Sequence, residues 1–123
     1  MDLGISGKTA LLCASNAGLG LACAKALACE GVHVVINGRN PEKTASAEAE
    51  VRAIATGNVT SVLADVTTDE GRAALLDACP NPDILLNNNA GPKPKTFLQT
   101  QRSDWEETYQ SSYLAPILLV HAV

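Results

Sequence analysis

The sequence predicts an α/β fold: a doubly wound parallel sheet of four strands with helices on both faces. Three observations lead there. Short apolar, β-branched runs alternate with longer helical stretches along the whole chain. Aromatic residues are only 3% of a chain that is 46% hydrophobic, so Ala, Val, Leu and Ile make the core, which suits close helix-on-sheet layers. And Gly, Asn, Asp and Arg gather just after the strand-like runs, at the carboxyl ends where such a sheet places its ligands.

The opening unit runs from Lys8 to Gly31. Lys8 to Ala14 reads as a buried strand, Ser15-Asn16-Ala17 and Gly18-Leu19-Gly20 as a tight turn, and the Ala/Leu-rich stretch after it as a helix stopped by Gly31. Val32–Ile36 is a second strand, broken at Asn37-Gly38. Asn40 can cap a helix and Pro41 suits its first position, so a helix runs from there to about Thr56 and stops at Gly57. Asn58 to Ala64 is a third strand ending at Asp65-Val66. Thr67 and Glu70 have capping-box spacing and open a helix through about Cys79, which Pro80-Asn81-Pro82 breaks. Asp83–Leu86 is the fourth strand, followed at once by Asn87-Asn88-Asn89-Ala90-Gly91. After a loop carrying Pro92, Lys93, Pro94 and Lys95, the pair Ser103 and Glu106 forms a second capping box. A last helix follows, with Trp105 as a core anchor and a kink expected at Pro116. Strand–helix alternation in this order implies right-handed crossovers within one domain, residues 1–123.

Composition narrows the function. A net charge of −4 without a basic stripe argues against nucleic acid as a partner. Met1-Asp2 begins without a basic and apolar leader, and the longest apolar run, Leu114 to Val120, is too short to cross a bilayer, so neither secretion nor a membrane is expected. The four cysteines form no Cys-x-x-Cys pair. They are expected to be buried reduced thiols in a cytoplasmic protein, with no metal site.

The chemistry concentrates at the strand ends. Glycines at the head of a helix let a ligand approach the backbone, and the free N–H groups there attract an anion, so the first turn is read as a phosphate site. The dinucleotide fingerprint is approached but not complete, with Cys23 in the third glycine's place. Arg39 lies about twenty residues beyond the turn, where an acidic residue usually meets the ribose. No Asp or Glu occupies positions 36–40, and an arginine there grips a 2′-phosphate in fork geometry. NADP is therefore favoured over NAD.

These residues resemble the short-chain dehydrogenase/reductase family, and within it the branch similar to 3-oxoacyl-(acyl-carrier-protein) reductases. The family's Thr-Gly-x-x-x-Gly-x-Gly turn corresponds to Cys13-Ala14-Ser15-Asn16-Ala17-Gly18-Leu19-Gly20. Its Asp-Val after strand three is met by Asp65-Val66, and its Asn-Asn-Ala-Gly by Asn88-Asn89-Ala90-Gly91. The resemblance implies a Rossmann-like sheet in the order 3-2-1-4. It implies a nicotinamide cofactor, NADP(H), held by Ala14, Ser15, Asn16, Gly18, Leu19, Gly20, Arg39, Asp65, Val66, Asn89, Ala90 and Gly91.

The departures matter as much. Ala14 stands for the family's first glycine, Asn87 for an apolar strand residue, and Ser112 where the last helix normally offers a catalytic Asn. The family's Ser and Tyr-x-x-x-Lys lie beyond the matched region; Tyr109 and Tyr113 are the only tyrosines here and no lysine follows Lys95. No catalytic residue is therefore assigned. The expectation is the cofactor-binding, N-terminal part of an NADP(H)-dependent reductase, truncated after the fourth strand and its following helix. It is expected to pair as a homo-oligomer or with a complementary C-terminal half. The alternative is a catalytically inactive dinucleotide-binding or interaction module.

Overall fold

The computed structural model describes residues 1–123. Its elements are β1 (Thr9–Leu12), α1 (Gly18–Cys29), β2 (His33–Gly38), α2 (Pro41–Arg52), β3 (Val59–Leu63), α3 (Asp69–Ala78) and β4 (Ile84–Leu86). A 3₁₀ turn (Phe97–Gln99), α4 (Arg102–Tyr109), a π turn (Gln110–Leu114) and α5 (Ala115–Ala122) complete the chain. The sheet is parallel in the order β3-β2-β1-β4, as expected, with Leu11 of β1 opposite both Val35 of β2 and Leu85 of β4. Since the chain crosses back over β1 to lay down β4, the strand order reverses at β1 and opens a crevice at the strands' carboxyl ends.

The pleat divides β1 between two cores. Ala10 and Leu12 face α1 and α2, packing with Ala24, Ala28, Val34, Ile36, Ala47 and Val51. Leu11 and Cys13 face the other layer, with Val35, Val66, Leu75, Cys79 and Leu119. Alanines on α1 bring that helix close to the sheet, which is how a core with few aromatics fills. Helix α1 ends as the sequence predicts: Gly31 has φ +81°, its N–H bonds to Ala28, and the Val32 N–H reaches the Leu27 carbonyl. His33 is structural, its Nδ1 accepting from the Asn58 N–H at 2.9 Å.

Several boundaries differ from the sequence reading, each for a local reason. Helix α2 ends at Arg52, short of Thr56, because the Thr56 N–H turns away to the Ala28 carbonyl of α1. Strand β2 continues through Asn37-Gly38, where Gly38 pairs with Leu63. Thr68, not Thr67, caps α3, accepting from the Gly71 N–H at 3.0 Å, while the Thr67 hydroxyl is spent on Asp65. Helix α4 starts at Arg102, and Asp104 reaches back to the Gln101 N–H at 2.8 Å; Glu106 instead pairs with Arg102. Trp105 is not a core anchor: it is 59% exposed. Of the thiols, Cys13 and Cys79 are buried and Cys23 half-buried, but Cys29 is exposed. Burial pushes the Cys13 thiol up to about 11, so it stays protonated and inert at neutral pH. No helix is long and apolar enough to cross a membrane.

Pro116 acts through the π turn just before it. The Ala115 N–H bonds to the Gln110 carbonyl, five residues back, and Pro116 has no N–H to offer the Ser111 or Ser112 carbonyl. The helix continues from α4 into α5 across one widened turn.

Candidate functional site

A cleft of about 470 Å³ opens at the carboxyl ends of the four strands, in the size range of small-ligand sites. Its floor is the turn between β1 and α1. Ser15, fully buried, donates its hydroxyl to the Leu12 carbonyl (2.8 Å) and accepts from the Asn37 N–H (2.9 Å). Ala14 stands at φ +44°, its N–H bonded to Asn37 Oδ1 (3.1 Å) and its carbonyl to Asn88 Nδ2 (2.9 Å). Asn16 ties the turn to α2 through Thr44 Oγ1 at 3.1 Å. Gly20 sits directly behind, where a Cβ would lie 2.5 Å from the Ala14 carbonyl oxygen, so no larger residue fits without moving the turn.

The start of α1 differs from those of α2 and α3. Asn40 caps α2 and Thr68 caps α3, but α1 has no side-chain cap and no acid in its first turn. Its leading amides face the cleft through Gly18 and Leu19, positive and unsatisfied by protein side chains.

The rim carries opposite charges. The Arg39 side chain, 69% exposed, lies 4.0 Å from Asp65 Oδ2, and Lys43 on α2 lines the same side. Asp65 Oδ1 accepts from the Thr67 hydroxyl (2.7 Å) and N–H (2.9 Å). These bonds, with a smaller contribution from the Arg39 charge, hold its carboxyl below the usual carboxylate range against the opposing effect of partial burial. The remaining wall is Asn88, Asn89 and Ala90, with Asn89 Nδ2 anchored on the Ser111 carbonyl at 3.0 Å.

The short chain dehydrogenase family profile matches residues 8–123. The chain belongs to that family. An uncharacterized oxidoreductase of Bacillus subtilis, YvaG, is 34% identical over 97% of this chain and 46% of its own length. The 3-oxoacyl-(acyl-carrier-protein) reductase of Aquifex aeolicus is 27% identical over 97% of the chain and 50% of its own. The crystal structure of L-sorbose reductase from Gluconobacter frateurii, complexed with NADPH and L-sorbose, superposes with a TM-score of 0.93 at 30% identity. It is covered over 48% of its length by all of this chain. This short chain dehydrogenase sequence thus spans about half the length of the relatives it matches.

Within this member of the family, Ala14, Asn16, Gly18, Leu19, Arg39, Asp65, Val66, Asn89 and Ala90 all line the cleft. Three other residues singled out from sequence do not. Ser15 and Gly20 are buried beneath the turn, and Gly91 is exposed beyond the lining residues. Four residues not assigned to the cofactor from sequence also line it: Lys43, together with Asn37, Asn40 and Asn88, which read from sequence as a strand end, a helix cap and part of the Asn-Asn-Ala-Gly motif. Lys43 carried a readable signal, a cation in the first turn of a helix behind an Asn cap and four residues after Arg39. Asn37 carried another, a polar residue directly after the apolar run Val34–Ile36 of β2. Ser112 is exposed in the π turn with the Ser111 hydroxyl 3.4 Å away, and Tyr109 and Tyr113 stack on each other with centroids 5.2 Å apart.

Proposed function

We propose that residues 1–123 form the cofactor-binding domain of an NADP(H)-dependent short chain dehydrogenase that reduces a carbonyl group, with a 3-oxoacyl substrate as the first candidate. The observation that carries this reading is the pairing of an uncapped α1 with Arg39 and Lys43 across one cleft. A pyrophosphate fits the α1 amides, and the two cations fit a phosphate on the ribose. In this reading Asp65 and Val66 meet the adenine, and Asn89-Ala90 the nicotinamide end. When bound, the cofactor supplies the hydride. This chain's residues bind it, orient it and keep Asp65 ionised while they do so.

The NADPH complex of the L-sorbose reductase supports the cofactor choice, and the Aquifex relative supports the substrate class. The four unpaired thiols suit a reducing cytoplasm. The stacking of the only two tyrosines, with no lysine beyond Lys95, favours a second reading for the chain alone: a dinucleotide-binding module without turnover. Fluorescence titration of the purified chain with NADPH tests binding, and an acetoacetyl ester assay tests turnover. Saturable binding that Gly18→Ala weakens, without reduction of the ester, is the expected result. No binding refutes the cofactor reading. Turnover that responds to Gly18→Ala or Asp65→Asn refutes the silence of the isolated chain.

A further inference from the structure

Asn37 is only 2% exposed, yet every polar atom of its side chain is in use. Oδ1 accepts from the Ala14 N–H, and Nδ2 donates to the Val62 carbonyl at 3.1 Å and the Ala64 carbonyl at 3.0 Å. Reversing the amide would set its nitrogen against an N–H and its oxygen against two carbonyls, so the orientation is fixed by its partners. The backbone of the same residue exchanges two more bonds with Ser15, through the Ser15 hydroxyl and the Ser15 N–H. One residue of β2 therefore joins the end of β1 to the end of β3.

What it holds on the β1 side is strained. Ala14 is the only non-glycine residue with a positive φ, a conformation that its Cβ disfavours and that persists only when the surroundings impose it. The N–H of that residue is fastened by Asn37 and its carbonyl by Asn88. On the β3 side Asn37 holds Ala64, the residue before Asp65, and it stands two residues before Arg39, which follows the end of β2.

We propose that Asn37 is the positioning residue of the cleft, imposing the left-handed turn at Ala14 and setting the spacing between that turn, Arg39 and Asp65. The inference rests on the dinucleotide reading, since the spacing matters for a ligand that touches all three. A glycine in place of Ala14 needs no such anchor. This chain instead combines an alanine with a buried carboxamide that enforces its backbone.

A coupled pair of substitutions tests it. Asn37→Ala is expected to weaken NADPH binding to the folded protein about tenfold, the loss of one well-placed hydrogen-bonding arrangement. In the Ala14→Gly background the same substitution is expected to cost no more than about threefold, because the turn then keeps its shape unaided. A residue that merely stabilises the fold lowers the melting temperature in both backgrounds and gives no such rescue; equal losses of affinity overturn the proposal. Amide hydrogen exchange without ligand gives an independent reading. The Ala14 amide should be protected in the native chain and exchange at least tenfold faster in Asn37→Ser, the milder variant should Asn37→Ala fail to fold. An unprotected Ala14 amide in the native chain also overturns the proposal. If the native chain binds no dinucleotide while this protection pattern holds, the cofactor reading fails and the positioning role stands.

Discussion

The carboxamide of Asn89 donates to the main-chain carbonyl of Ser111 at 3.0 Å, joining the loop after β4 to the one widened turn of the C-terminal helix. The cause lies five residues further on, at Pro116. A regular helix would give the Ser111 carbonyl the Ala115 N–H, but that N–H bonds to Gln110, and Pro116 has none to give. Asn89 fills the vacancy and is thereby held in the wall of the cleft. Asn89→Ala is expected to cost about 1–2 kcal/mol, by leaving a part-buried carbonyl unpaired. Hydrogen exchange should quicken across residues 108–115 and stay unchanged in β1 and β2. Uniform quickening along the whole chain would contradict the local role.

Acid should release the tie between Asp65 and Thr67. The Asp65 carboxyl is held below its ordinary value of 3.8 by the Thr67 hydroxyl and N–H, with Arg39 adding to the effect. A lowered folded-state value means that the carboxylate's stabilisation is complete above about pH 5 and is lost as pH falls through that value. Thermal melts of the native chain and Asp65→Asn should therefore differ at pH 7 and converge below pH 3.8. Curves that stay parallel into the acid range would show that Asp65 contributes nothing ionic. The carboxylates of Asp83 and Asp104 are also lowered, but they are common to both proteins and cancel in the difference.

Two glycines of the turn should fail in different ways. At Gly20 a Cβ meets backbone at 2.5 Å and 2.8 Å, so Gly20→Ala should cost roughly 1–3 kcal/mol through forced displacement of the turn. At Gly18 no atom lies within 4 Å of the added Cβ, and the backbone sits at φ +54°. Gly18→Ala should lower stability by about 1–2 kcal/mol from that strain. Its larger effect should be on NADPH, because the methyl group stands at the start of α1. Calorimetric melts set beside ligand titrations separate the two variants.

The sheet was legible because its signals are local. Val32–Ile36, Asn40-Pro41 and Glu30-Gly31 each contain the chemistry that makes a strand, starts a helix or stops one, and each lies where expected. Capping was less legible at Thr67/Thr68 and Gln101/Ser103, where neighbouring residues compete for one amide and the winner depends on Asp65 and Asp104. Trp105 departs from the sequence expectation for a different reason. The spacing of α4 shows which face is apolar but not whether anything covers it, and in these 123 residues it stays exposed. In the cleft, Arg39 and Asp65 were readable from position alone. The service of Asn37 to three strand ends was not, because its partners Val62 and Ala64 are remote in sequence and offer only carbonyls.

The exposed apolar surface should drive association. Strand β4 pairs only with β1, leaving its other edge open, and Tyr109, Tyr113, Ile117 and Val120 are all at least half exposed or nearly so. A groove between Asn87 and Pro116, Ile117, Val120 and His121 lies beside them. Sedimentation equilibrium at micromolar concentration should show self-association, or capture of a complementary C-terminal half, weakened about tenfold by Ile117→Lys. A single monomeric species that unfolds cooperatively would refute this.

A cleft that selects a dinucleotide carrying a 2′-phosphate should separate NADPH from NADH in a calorimetric titration. One charge-assisted contact to that phosphate contributes about 1.5–3 kcal/mol, so NADPH should bind roughly ten- to a hundredfold more tightly. Arg39→Ala should erase most of that difference, and Lys43→Ala a smaller part of it. Equal affinities in the native chain, or tighter binding of NADH, would rule out recognition of the 2′-phosphate.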